Sequence, residues 1–266
     1  MSVLEVERGA HAVIARLNRP EVRNAINQEL VDALHELCAE LETTPRILII
    51  TGSNGVFASG ADIAELRGRR AADAHAAINA TVFERVAALP MPVIAAIDGY
   101  ALGGGAELAY AADLRIGSPT MKIGNPETGL GIIAAAGATW RLKELVGEPL
   151  ALEMLLTGRI LDAHEALTAR LVNALHPSNA LLDAAVAIAE RIDANDALAT
   201  RYTKEVFRAA RSQHPLIDAQ AQAVLFESEE KVRRMTEFLE RKRTRGARGA
   251  TPRAGTAHNG DDEEQR

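Results

Sequence analysis

The stretch Pro92–Ile116, PVIAAIDGYALGGGAELAYAADLRI, decides how the rest of the chain is read. It opens on an unbroken apolar run, PVIAAI, of the kind a strand buried on both faces carries. It closes on DLRI, the start of another short strand. Between them stand Gly103, Gly104 and Gly105, and then Glu107. A loose turn accounts for glycines in such a place. So does a backbone that something must approach closely, because glycine has no Cβ in the way. A strand that ends in glycine and feeds a helix also leaves unpaired N–H groups at the helix start.

The same order occurs upstream. RILIITG reads as a short buried strand with a glycine stop, SNGVFASGAD as a glycine-punctuated loop, and residues of about 62–68 as a helix. Asp62 suits the N-cap of that helix. Two such turns side by side aim two backbone donors at one oxygen, which is how an oxyanion hole is built.

Working outward, SVLEVER and HAVIARL read as a hairpin around Gly9. Asn27 caps a helix from about Gln28 to Glu42, with Leu30, Val31, Leu34, Leu37 and Leu41 at helical spacing. A second helical pattern covers about 71–89 and ends at Pro90 and Pro92. MKIG is one more short strand. From about Ala135 the pattern is mostly helical, interrupted near LVNALHP. The last segment, from residue 244, is rich in Gly, Arg, Ala and Thr and ends in acids. It reads as a disordered tail. The expected organisation is a mixed core over 1–195, a helical region over 196–243 and a tail over 244–266.

Composition narrows the function classes. The 266 residues are 47% hydrophobic and 25% charged, ordinary values for a globular chain, so at least one large core is expected. Aromatics make up only 3%, so that core must be aliphatic. A net charge of −6 gives no general pull toward nucleic acid or anionic membrane. No apolar run approaches the ~18 residues of a spanning helix. The segment MSVLEVERGAHAV is too charged for a signal peptide, and Cys38 is the sole cysteine, so a cytoplasmic location is expected.

There is no P-loop, no GxSxG elbow and no GxGxxG, since Leu108 stands three after Gly105. HELCA and HEALT lack the second histidine of a zinc-binding HExxH, and the seven histidines are scattered, so no metal site is expected. Two acids remain. Glu107 is flanked by Ala106, Leu108 and Ala109, and Glu127 sits in the loop GNPETGLGI. Either favours a helix N-terminus electrostatically. Apolar surroundings also raise a carboxyl pKa toward the range useful for proton transfer.

LNRPEVRNAIN, ITGSNGVFASGADIAEL, PVIAAIDGYALGGGAELAYAADLRI, NPETGLGI and EMLLTGRILDAHEALTARLVN together resemble the crotonase superfamily, and within it the enoyl-CoA hydratases, from about residue 3 to 241. The resemblance implies an α/β fold, a spiral of ββα units followed by a C-terminal helical region that supports trimer formation. It implies an acyl-CoA thioester as substrate, coenzyme A being part of that substrate, and no separate cofactor. It places the oxyanion donors at the backbone N–H groups of Ala61 and Gly104. The hydratase glutamate pair falls on Glu107, for water activation, and Glu127, for the Cα proton. Contacts to CoA and substrate fall on Arg23, Ala25, Ser59, Ala61, Asp62, Ile63 and Gly104. A homotrimer or a dimer of trimers is implied, with neither a nucleic acid partner nor a membrane span. Δ3-Δ2 enoyl-CoA isomerisation is the alternative within the same family, with Glu127 shuttling the proton.

Three departures stand out. A loop resembling PGAGGTQRL in the family reads AAAGATWRL here, Ala134–Leu142. Ala135 takes the place of a glycine whose N–H helps hold water, and alanine makes φ > 0 costly. Trp140 replaces a polar residue and is expected to pack against a neighbouring helix. Arg233 and Arg234 stand where the family has an acid and a glycine, and FLERKRTRGA lacks the usual Pro-x-Phe ending.

Overall fold

The computed structural model describes residues 2–249, with side chains through Arg243. Two compact units divide the chain, Met1–Ala209 and Ala210–Arg266.

The first unit is built on two sheets. Strands β1 (Leu4–Arg8) and β2 (Val13–Leu17) form the expected antiparallel hairpin. Parallel to β2 run β3 (Leu48–Thr51), β4 (Val93–Ile97), β6 (Leu114–Gly117) and β9 (Ala174–Leu175), giving the order β1-β2-β3-β4-β6-β9. All residues of β3 and β4 are buried, as unbroken apolar runs require in a sheet covered on both faces. The second sheet is small. It joins β5 (Tyr100–Leu102), β7 (Lys122–Gly124) and β8 (Ile160–Asp162). β8 lies within a segment read from sequence as helical. Three residues paired antiparallel to β7 are too few for a periodicity to show.

Helix α1 (Gln28–Thr43) is capped by Asn27, whose Oδ1 accepts the Leu30 N–H at 3.0 Å. Its apolar stripe packs in the aliphatic core with β2, β3 and β4. α2 (Ile63–Gly68) is capped by Asp62, which accepts from Ala64 N–H and pairs with Arg19 at 3.2 Å. The long helix expected over 71–89 is broken into α3 (Ala71–His75) and α4 (Ile78–Ala88) by Ala77 at φ +50. No glycine or proline marks the break. α5 (Gly104–Ala111) is buried along its whole length, which its glycine and alanine content permits.

Next come α6 (Ala138–Val146), α7 (Glu148–Thr157), α8 (Ala163–Thr168), α9 (Leu181–Asp193) and α10 (Ala197–Arg208). α9 covers the other face of the large sheet, with Leu181, Ala185 and Ala189 against a core that includes Ile49, Ile94 and Ile116. The second unit carries α11 (Leu216–Phe226) and α12 (Glu229–Gly249). α12 runs past residue 243, where the tail was expected to start; residues 250–266 of that expected tail lie outside the described residues. Among the described residues no helix is long and apolar enough to cross a membrane.

Candidate active site

Two of the three glycines answer to a specific neighbour. Gly103 has φ +51, in the left-handed region, and a Cβ there would stand 3.2 Å from Glu127 Oε1. A Cβ on Gly105 would meet the Ala58 carbonyl oxygen at 2.3 Å, closer than atoms can stand, so only glycine lets α5 pack on the loop that carries Ala58. Gly104 is under neither constraint. Its Cβ would fit the space there at ordinary contact distance, 3.5 Å from Ala61 N, 3.5 Å from Asn79 Nδ2 and 3.8 Å from Ile26 Cδ1.

That space belongs to a cavity of about 650 Å³. The two strand–glycine–helix turns converge on it. Ile26 bridges Ala61 and Ala58 bridges Ala101, so the two loops lie side by side. The bridging pairs use Gly60 O and Asp62 N–H with Ile26, which leaves the Ala61 N–H without an acceptor among the described residues. Gly104 begins α5, and its N–H is likewise unpartnered there.

Glu107 and Glu127 line the same cavity, both nearly buried. Glu107 Oε1 accepts the Ala136 N–H at 2.7 Å and the Ala138 N–H at 3.2 Å. Burial pushes its pKa up to about 7; those amides oppose the rise and the nearby Glu127 charge adds to it. Glu127 Oε1 lies 3.4 Å from Asn125 Nδ2, while its Oε2 is buried without a partner. Burial raises this carboxyl too, against the pull of its own N–H and of Asn125. Asn125 is held in turn by the Tyr110 hydroxyl, which donates to Oδ1 at 3.0 Å, and donates itself to Gly103 O at 3.4 Å.

Of the residues singled out from sequence, Ser59, Ala61, Ile63, Gly104, Glu107 and Glu127 line this cavity. Arg23, Ala25 and Asp62 do not. Arg23 is exposed at φ +54, and its carbonyl accepts the Ser59 N–H. Ala25 is buried and its carbonyl accepts from Arg19 at 2.6 Å. Asp62 is used as a cap and ion-pair partner.

The strain expected in the AAAGATW loop is not found. Its one positive φ falls on Gly137, at +138, and none on its alanines. Alanine therefore suits the loop. Ala135 lines the cavity as expected, yet the amides that reach a carboxylate belong to Ala136 and Ala138. Trp140 is partly exposed and outside the cavity lining. Sequence reasoning missed Asn125, Tyr110 and the two loop amides. Only the apolar setting of NPE hinted that Glu127 needed a local partner.

Residues 7–245 match the family described as enoyl-CoA hydratase/isomerase. The chain belongs to that family. A probable enoyl-CoA hydratase of Mycobacterium bovis is 37% identical over 89% of this chain and 95% of its own length. A crotonyl-CoA hydratase of Syntrophomonas wolfei is 35% identical over 90% of this chain and 95% of its own. The crystal structure of an enoyl-CoA hydratase from Bacillus anthracis superposes with a TM-score of 0.85 at 33% identity, covering 90% of this chain and 96% of that one. The crotonase fold, with two sheets and C-terminal helices, is thus the fold of this family member.

Proposed function

We propose that this protein adds water across the double bond of a 2-enoyl-CoA thioester. One observation carries the reading: two buried carboxyls with raised pKa values face one cavity that also presents two unpartnered backbone donors. In this reading the Ala61 and Gly104 N–H groups receive the thioester carbonyl oxygen. They stabilise the enolate-like charge that grows there as water attacks Cβ. Preorganised donors of this kind are each worth ~2.7–4 kcal/mol at the transition state.

The carboxyls divide the proton work. Each carboxylate penalises a second negative charge nearby, so the reactive form holds one charge and one proton between them. Two amides on Glu107 Oε1 favour its ionised form. In the reactive form the proton sits on Glu127, whose Oε2 has no other partner. Glu107 takes a proton from water while the water oxygen bonds to Cβ. Glu127 gives its proton to Cα, and proton exchange with solvent resets the pair. The relatives named as hydratases support the same reading.

Because Glu127 carries a lone buried oxygen, it is also equipped to shuttle a proton by itself, which is all that Δ3-Δ2 isomerisation of a 3-enoyl-CoA asks. Parallel assays of both substrates on the wild type and on Glu107→Gln separate the readings. Hydration is expected on the wild type, falling at least ~100-fold in the variant. A wild type that isomerises but does not hydrate overturns the hydratase reading.

The reading includes a trimer or dimer of trimers and a cytoplasmic location. Exposed Val232, Met235 and Leu239 form one apolar face of α12, and Leu216, Val224 and Phe226 stand exposed on α11, surface that a subunit contact would cover. The single buried cysteine suits a reducing compartment.

A further inference from the structure

The cavity wall made by α2, α4 and the residues between them is not uniformly apolar. Arg69 and Asn79 stand in it among Ile63, Leu66 and Ile78. Arg69 Nη1 lies 3.5 Å from Asn79 Oδ1, at the limit of a hydrogen bond. Arg69 has no carboxylate partner among the described residues, although acids line the same cavity. Asp73 lines the same cavity, but its Oδ2 accepts the Arg70 backbone N–H at 2.7 Å. Glu107 Oε1 is engaged by the loop amides and Glu127 Oε1 by Asn125, and neither acid pairs with Arg69. A guanidinium is always charged, and this half-buried one has donors left to offer an anion that enters the cavity.

We propose that the substrate supplies the missing anion: the acyl group bears a carboxylate, which Arg69 grips while Asn79 positions the guanidinium. The proposal rests on the acyl-CoA reading above and names its substrate class, the monothioester of a short dicarboxylic acid. Two sources of anion exist on such a ligand, the acyl carboxylate and the CoA phosphates. The position of Asn79 selects the first. Its Nδ2 lies 3.5 Å from the point a Gly104 Cβ would occupy, beside the donors assigned to the thioester carbonyl. Its Oδ1 faces Arg69. A single carboxamide therefore separates Arg69 from the carbonyl site, whereas the phosphates stand at the far end of the pantetheine arm. The same spacing keeps the acyl chain short. The flat fork of Arg69 suits a carboxylate, and such charge-assisted bonds are the strong ones.

Equilibrium binding of saturated thioesters tests this without any turnover. Glutaryl-CoA and pentanoyl-CoA share a chain length and differ in the terminal carboxylate. Each is titrated by calorimetry into the wild type, Arg69→Gln and Arg69→Lys. The expected result is tighter binding of glutaryl-CoA to the wild type, by about tenfold or more. Arg69→Gln should erase that preference without weakening pentanoyl-CoA, and Arg69→Lys should restore part of it. Equal binding of the two thioesters to the wild type overturns the proposal. So does equal weakening of both by Arg69→Gln, which would assign Arg69 to the CoA phosphates or to the fold. Hydration of crotonyl-CoA by the wild type is read separately, so a failed preference and a failed hydratase assignment are told apart.

Discussion

Gly104→Ala is the substitution that separates the shape of the site from the stability of the fold. The added methyl would stand 3.5 Å from Ala61 N, 3.5 Å from Asn79 Nδ2 and 3.8 Å from Ile26 Cδ1, all ordinary contact distances. Gly104 is not among the residues at positive φ, so alanine adopts its backbone without strain. At a helical position alanine is even favoured, by up to ~1 kcal/mol. The fold should therefore tolerate the change. The site should not, because the methyl takes up space between the two donors where the thioester oxygen must sit. The N–H survives, but an oxygen displaced from one such donor forfeits its bond, and that loss is ~2.7–4 kcal/mol, or about 10²–10³-fold in kcat. The assay is the fall in absorbance of the conjugated thioester as crotonyl-CoA is hydrated. Thermal unfolding and light scattering report whether the variant is intact. A folded Gly104→Ala protein with near-normal kcat would refute the placement of the carbonyl in this space. Gly105→Ala is the contrasting control, because its methyl would meet Ala58 O at 2.3 Å and must disturb the fold itself.

Glu107→Gln should raise stability as it lowers activity. The folded carboxyl titrates near 7 against 4.5 for an unperturbed one, so its contribution to stability is full below 4.5 and lost as pH rises through 7. At 1.36 kcal/mol per pKa unit, urea unfolding should show a variant advantage at pH 8 over pH 5 of about 3 kcal/mol at most; a gap that does not widen with pH contradicts the burial argument. Asn125→Ala strands the Tyr110 hydroxyl and removes a donor from Glu127, so it should cost about 1–3 kcal/mol. The same change should move the pH–rate profile upward on the Glu127 limb, and an unmoved profile would show that Asn125 does not tune that carboxyl. Replacing Ala135 and Ala138 by glycine should leave the ratio of hydration to isomerisation unchanged, since neither alanine is strained; a large gain in hydration would show that the loop conformation does limit the reaction.

Much of the fold was legible because its signals are local. The β1–β2 hairpin, the Asn27-capped α1, the buried runs of β3 and β4 and the Asp62 cap all follow from patterns within a few residues. What escaped depends on distant parts of the chain. β8 exists because β7 lies beside it, and nothing within its three residues announces a strand. The break at Ala77 has no sequence marker, and the structure offers no single contact that explains it. At the site, Glu107 and Glu127 were legible as acids in apolar company. The amides of Ala136 and Ala138 were not, because any residue carries an N–H and only the fold decides where it points. The glycines showed the reverse. Their run was plain in the sequence, but the separate constraints on Gly103 and Gly105 became visible only with Glu127 and Ala58 in place.

The central claim is that Glu107 and Glu127 add water to a 2-enoyl thioester. Incubating the wild type with crotonyl-CoA in heavy water and reading the product by mass spectrometry and NMR tests it most directly. The account predicts 3-hydroxybutyryl-CoA carrying one carbon-bound deuteron, at Cα, where Glu127 delivers it, and no such product above background from Glu107→Gln on the same timescale. Recovery of unchanged crotonyl-CoA from the folded wild type, or an equal yield from Glu107→Gln, would contradict it.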